Sequence, residues 1–165
     1  MIAVLWVGFS VAQADDFDLQ LLGQPVQGAG WVCPEGRGLC TRSDRILSLP
    51  GTWSATLDDH GNVGSLTFSV FFVDLSLPYT DRAQSAADPW AEARAAVARF
   101  EAAHRGWDVV SETAGDPSAL VYARAGERRT LAAWTTTLTN EEEQTGVTAA
   151  VHLRREASGA LDGER

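Results

Sequence analysis

Residues 52–73 constrain the fold more than any other part of the chain. Trp53, Ala55 and Leu57 alternate with Thr52, Ser54 and Thr56, and Leu66, Phe68, Val70 and Phe72 alternate with Ser65, Thr67 and Ser69. A period of two places the apolar set on one face of a strand and the hydroxyls on the other. Between the runs lies Asp58-Asp59-His60-Gly61-Asn62, a cluster of residue types that tolerate tight turns. The stretch predicts a β-hairpin with one buried face, and such a face needs a second apolar surface to cover it.

The cover is predicted downstream. Asp88-Pro89 reads as a helix start, with Asp as the cap and Pro in the first turn. Trp90, Ala93, Val97, Phe100 and His104 then recur at three- and four-residue spacing, and Ala96 and Ala103 widen the stripe. Arg105 would favour the helix dipole, and Gly106 suits a left-handed cap. Before the helix, 75–87 reads as a loop, and Phe17–Val26 as an irregular arm or single turn packing on the core. After it, Trp107–Thr113, Ala119–Arg124, Thr130–Leu138 and Val147–Arg155 read as four strands, separated by Asp116-Pro117, Gly126 and the polar run Asn140–Gly146. The expected fold is α+β: an antiparallel sheet in the order β-β-α-β-β-β-β, packed against one amphipathic helix as a two-layer sandwich.

With its Ala55–Val70 hairpin, Asp88–Arg105 helix and terminal meander, the outline resembles small exported bacterial domains of the SmpA and β-lactamase-inhibitor-protein shape. The resemblance is one of architecture over about two-thirds of the chain that would remain after removal of residues 1–14, with one helix in place of the usual pair. It implies a binding or assembly role.

The N-terminus carries an address. Ile2–Val11 is an apolar run too short to span a bilayer, and Ala12-Gln13-Ala14 follows as a small-x-small cleavage site. Residues 1–14 are expected to be a signal peptide, with translation starting upstream of Met1 because no Lys or Arg precedes the run. Residues 15–156 would then form one exported domain, periplasmic or secreted, with no membrane span after cleavage. Residues 157–165 would fray. Cys33 and Cys40 both fall in the exported part and are expected to pair as a structural disulfide. Closing that short loop constrains the unfolded chain by about 2.5 kcal/mol in the chain-entropy model.

The net charge of −9 disfavours nucleic acid and anionic membrane as partners. All 13 cations are Arg, so lysine nucleophiles, Schiff bases and phosphate-loop lysines are excluded. Glu101-Ala-Ala-His104 has the spacing of one half of a carboxylate-bridged metal site, but such sites need a second copy on a facing helix. The 58–62 cluster lacks the alternation of a calcium loop. No nucleophile elbow, Gly-rich phosphate loop or His-Glu-x-x-His motif is present. No catalytic residue, metal or cofactor is therefore assigned. His60 is expected at a hairpin tip, His104 at a helix end and His152 on the solvent side of the last strand.

Among the tryptophans, Trp31 stands apart in a Gly-rich loop beside the disulfide, where exposure would make it a partner contact. Pairing the later strands brings Arg124, Arg129 and Arg155 to one end of the sheet, with Arg128 and Arg154 nearby; the cluster could hold an anion or an acidic partner, unless Glu127 and Glu156 neutralise it. The expected function is non-enzymatic binding of a protein partner or envelope component. The alternative is a small exported hydrolase with a dispersed site, which a deep pocket holding a His beside a carboxylate would favour, whereas a flat or concave exposed sheet face would favour binding.

Overall fold

A computed structural model describes residues 21–74, 83–104, 106–124, 127–138 and 144–155. The expected signal peptide, the C-terminal tail and Arg105 lie outside the described residues. Eight strands and one helix follow in the order β1 (Leu39–Ile46), β2 (Leu49–Leu57), β3 (Val63–Asp74), β4 (Ala83–Ala86), α1 (Pro89–Ala102), β5 (Asp108–Thr113), β6 (Ser118–Arg124), β7 (Glu127–Leu138) and β8 (Gln144–Arg155). The sheet runs β1-β2-β3-β8-β7-β6-β5, antiparallel throughout, and β4 adds to β3 in parallel. The fold is α+β, and the expected order is corrected by two strands, β1 and β4, that precede the helix.

The β2–β3 hairpin forms as its alternation requires. Trp53 pairs with Phe68 and Ala55 with Leu66, all four buried. Asp58 Oδ1 accepts from the backbone N–H of His60 at 2.8 Å and of Asn62 at 2.9 Å, which closes the turn. Gly51 is required by packing: a Cβ there would lie 2.4 Å from the Ser69 carbonyl oxygen and 2.6 Å from Phe68 Cζ. Residues 21–26 give the expected arm, with Leu22 buried beside Val63 and the Gly23 N–H donating to the Val63 carbonyl at 2.8 Å.

β1 has no apolar alternation of its own. It is held by an eight-pair register with β2 and by the disulfide, Cys33 to Cys40, whose Cα atoms are 4.2 Å apart. Leu47 and Ser48 join β1 to β2 with φ of 49° and 67°. Two left-handed residues are what a twisted two-residue hairpin loop needs, although Asn-Gly is the usual choice. β4 is only four residues long, with Ala83 and Ala86 buried.

The helix starts as predicted. Asp88 Oδ1 accepts from the Ala91 N–H at 2.9 Å, and Pro89 opens the first turn. The helix ends earlier than expected, at Ala102 with Ala103 as a right-handed cap, so Gly106 at φ of 86° lies in the turn beyond it and is not the cap. Ala93, Ala96 and Phe100 are the helix's buried residues, and Phe100 meets Phe68 edge-on with ring centroids 6.3 Å apart. The small alanines let the helix approach β3, β7 and β8, and Phe100 fills the remaining gap. The helix thus covers the middle of one face, the inner face. Leu66, Phe68, Val70, Leu131, Ala133, Val151 and Leu153 line that face, all buried. No described helix or strand lies across the other, outer face.

Candidate functional site

His104 is where the helix ends, but it is 2% exposed rather than a surface group. Its Nδ1–H donates to the Phe100 carbonyl at 2.5 Å, and its Nε2 lies 3.2 Å from Arg129 Nη1. Guanidinium is a donor only, so Nε2 accepts and the imidazole is neutral. Tyr122 stacks on the imidazole at 5.3 Å, and Trp107 meets its edge at 5.7 Å. Arg129 Cζ sits 4.2 Å over the Trp107 ring. Burial, followed by the nearby Glu101 carboxylate, raises the Tyr122 phenol above its usual range. A shallow depression of about 430 Å³, lined by Glu101, His104, Trp107, Val109 and Tyr122, opens over this cluster. It does hold a His near a carboxylate. However, both ring nitrogens are already engaged, so His104 has no lone pair to act as a base.

This cluster corrects the expected arginine patch. Arg129 is 1% exposed and turned to the inner face, in the same row as Leu153 and Tyr122. A guanidinium buried there is part of the core and not a contact for a partner. Arg124, Glu127 and Arg155 occupy one backbone row at the strand ends. Arg128 and Arg154 pair directly across β7 and β8 on the outer face. Trp31 is half-buried against the core, with Arg42 Cζ 4.9 Å over its ring and the Arg42 guanidinium 2.8 Å from Asp44 Oδ2.

On the outer face, Thr67 Oγ1 lies 2.8 Å from His152 Nδ1. Burial and the neighbouring Arg154 charge both push His152 below the usual imidazole value, so it is neutral at neutral pH. No carboxylate bonds to this imidazole among the described residues. His60 stays exposed at its hairpin tip. Sequence reading placed His152 on the correct face but missed Thr67 as its partner. Strand parity and register together were the available clue, since the two residues are directly paired between β3 and β8.

A cleft of about 490 Å³ lies between α1 and the β5–β6 hairpin. Trp90, Arg94 and Val97 form the helical wall, Leu120 and Leu131 the floor, and Glu112 to Asp116 the far lip. Its size falls within the usual range for ligand pockets, and its apolar floor with a few polar groups at the rim has their usual make-up. Asp116 accepts from the Thr135 N–H at 3.0 Å, and its hydrogen bonds to Thr135 hold its carboxyl below the usual range. That bond ties the lip to β7. Beside the cleft, β5 is the last strand of the sheet, and all six of its residues are exposed, Val109 at 56% and Val110 at 52%.

Compared with known proteins, the chain matches no family model, no curated protein and no solved structure. Among the described residues no helix is long and apolar enough to cross a membrane. Function therefore has to be argued from the surface itself.

Proposed function

We propose that this chain is an exported, non-enzymatic binding domain that takes an extended, apolar segment of a partner protein at β5 and the adjoining cleft. One observation carries the reading: an open sheet edge with two exposed valines borders a cleft walled by Trp90 and Val97 and floored by Leu120 and Leu131. An added strand would pair with the β5 backbone groups that no described strand uses, and its side chains would reach the apolar cleft. The bulge between Val109 and Ser111 leaves Ser111–Thr113 as the regular length for such pairing. The disulfide supports passage through an oxidising compartment, and the likeness in outline to small exported binding domains implies the same class of role.

Thr67–His152 gives the hydrolase alternative its one specific support. A nucleophile and base need an orienting group and donors for an oxyanion. Both residues lie on strands paired at both edges, so their backbone N–H groups are committed to the ladder. Binding is the better reading.

Site-specific photocrosslinking in the exporting host tests it. A benzophenone side chain at Arg94 or Val110 should give a discrete protein adduct, and one at Ser43 on β1 should not. Absence of adducts at both cleft-side positions, or the same adduct from Ser43, would refute the proposal.

A further inference from the structure

The cleft does not end at Val97. Its helical wall continues from Trp90, Arg94 and Val97 to Ala98, Glu101 and Ala102, and its floor from Leu120 to Tyr122. Leu120 and Tyr122 share the inner face of β6, so the cleft and the depression beside His104 lie end to end along α1. On the open side β5 runs past both, with Glu112 at the cleft and Val109 at the depression. From Trp90 to Glu101 the helix advances roughly 16 Å at its usual rise. That is the span of about five residues of an extended strand.

We infer that this groove takes an extended segment bearing a Lys or Arg side chain between apolar ones, with the cation set between Glu101 on the helix and Glu112 on β5. The inference rests on the proposed strand addition at β5 and names the chemistry of the added segment. Of the charged side chains lining the two concavities, Arg94 is the cation, against the carboxylates of Glu101, Glu112 and Asp116. Asp116 is already tied to Thr135. Glu101 and Glu112 are exposed, one on each wall. Both act on one group between them: burial first, then Glu101 and, less strongly, Glu112 raise the Tyr122 phenol above its usual range. Two carboxylates on opposite walls thus lie within electrostatic reach of a single buried ring. A positive charge placed beside that phenol is attracted from both sides. The stem of a Lys or Arg is itself apolar and can lie along the groove, while flanking apolar residues cover Leu120 and Leu131.

A second copy of this chain does not have the matching chemistry. β5 carries Asp108 and Glu112 and no cation, so two such edges paired together would add carboxylates with nothing to offset them. The net charge of −9 likewise draws a basic partner from a distance and repels a copy. The occupant is therefore a different protein, and its basic residue supplies the selectivity that an apolar cleft alone lacks.

Selection of a displayed library of random decapeptides on the full disulfide-bonded protein tests the inference. Enriched peptides should share a Lys or Arg flanked by apolar residues, and changing that residue to Gln should weaken binding by roughly tenfold in calorimetry. Glu101→Gln and Glu112→Gln should each weaken the same peptide by roughly tenfold at an unchanged melting temperature. Neither should cost anything further once the peptide carries Gln, as a direct pairing requires. Asp59→Asn at the β2–β3 turn removes the same charge outside the groove and should leave affinity unchanged. Equal affinity for the Gln peptide, or as large a loss from Asp59→Asn as from the groove variants, would overturn the inference. Apolar peptides enriched without a basic position would overturn it too, and if they block the Val110 crosslink the cleft reading stands. No enrichment at all also overturns it, and crosslinking in the host then judges the cleft reading by itself.

Discussion

Truncating Phe100 should undo the attachment of the helix to the sheet. Phe100 is fully buried and is the only large side chain among the helix's buried residues, the others being Ala93 and Ala96. Its ring meets Phe68 edge-on, and Phe68 in turn meets Trp53 edge-on at 5.4 Å. Phe→Ala in a well-packed core costs about 3–5 kcal/mol, a value that already contains the lost ring contact and the cavity. The upper half of that range applies here. The cavity would be bounded by β-sheet residues that are themselves locked in register, so collapse is limited. A domain of this size has a total stability of about 5–15 kcal/mol, so Phe100→Ala would leave it marginal. Urea denaturation with the disulfide intact, followed by tryptophan fluorescence, gives the difference at constant m. Phe100→Leu fills most of the space and should cost less than half as much. A loss under about 1.5 kcal/mol for Phe100→Ala would refute the view that this ring anchors the helix.

Further outcomes follow from single features. Ser48→Gly should stabilise by about 0.5–1 kcal/mol in the same assay, because φ of 67° strains a side chain and Ser48 is exposed. Asp88→Ala should cost about 1 kcal/mol and lower helix content by far-UV circular dichroism, through loss of the bond to the Ala91 N–H. The folded-state pKa of His152 lies below its unfolded value, so the unfolded chain binds more protons. Stability should therefore fall as pH drops below about 6.5, the unfolded imidazole value, and His152→Asn should flatten that slope in pH-dependent denaturation. Exported protein should begin at Asp15 by intact mass, and a mass that retains residues 1–14 would defeat the signal-peptide reading.

Much of the fold was legible because local chemistry and tertiary demand agree. The hairpin could be read from Trp53 to Phe72, where every alternate residue is apolar and the turn residues match their conformation. The helix could be read from Asp88-Pro89 at its start and from its apolar spacing, while its end falls at Ala102, short of Gly106. β1 was not legible because its pairing rests on β2 and the disulfide, and because Leu47-Ser48 adopts a turn conformation that those residue types seldom announce. β4 is too short, and its alanines too weakly apolar, to give a pattern. Arg129 was misplaced for a different reason. It shares parity with Leu131 and Ala133, both buried, so the pattern did point inward. The usual exposure of arginine argued against that, and only the imidazole, indole and phenol around it explain why a guanidinium can be accommodated there. The cleft was invisible because it is set by how α1 packs beside the β5–β6 hairpin that follows it and by Leu131 from β7, and no local pattern encodes that packing.

The same sheet geometry that offers binding surfaces works against catalysis at Thr67–His152. In the middle of a sheet, backbone donors and acceptors point along the sheet plane and are used by neighbouring strands. Whatever stands on the face must therefore be recognised by side chains alone. Side chains repeated every second residue give a regular array of hydroxyls and imidazole. The array does not supply two convergent N–H donors aimed at one developing oxyanion. Such donors arise at turns, bulges and helix starts, where the ladder is broken. In this chain the 114–117 turn and the start of α1 at Trp90 lie at the cleft, and the β5 bulge at Val109 borders the depression over His104, whose ring nitrogens are both engaged; none of these breaks is near His152. His152 and these breaks in the ladder thus sit on different parts of the molecule, and that separation favours recognition over chemistry.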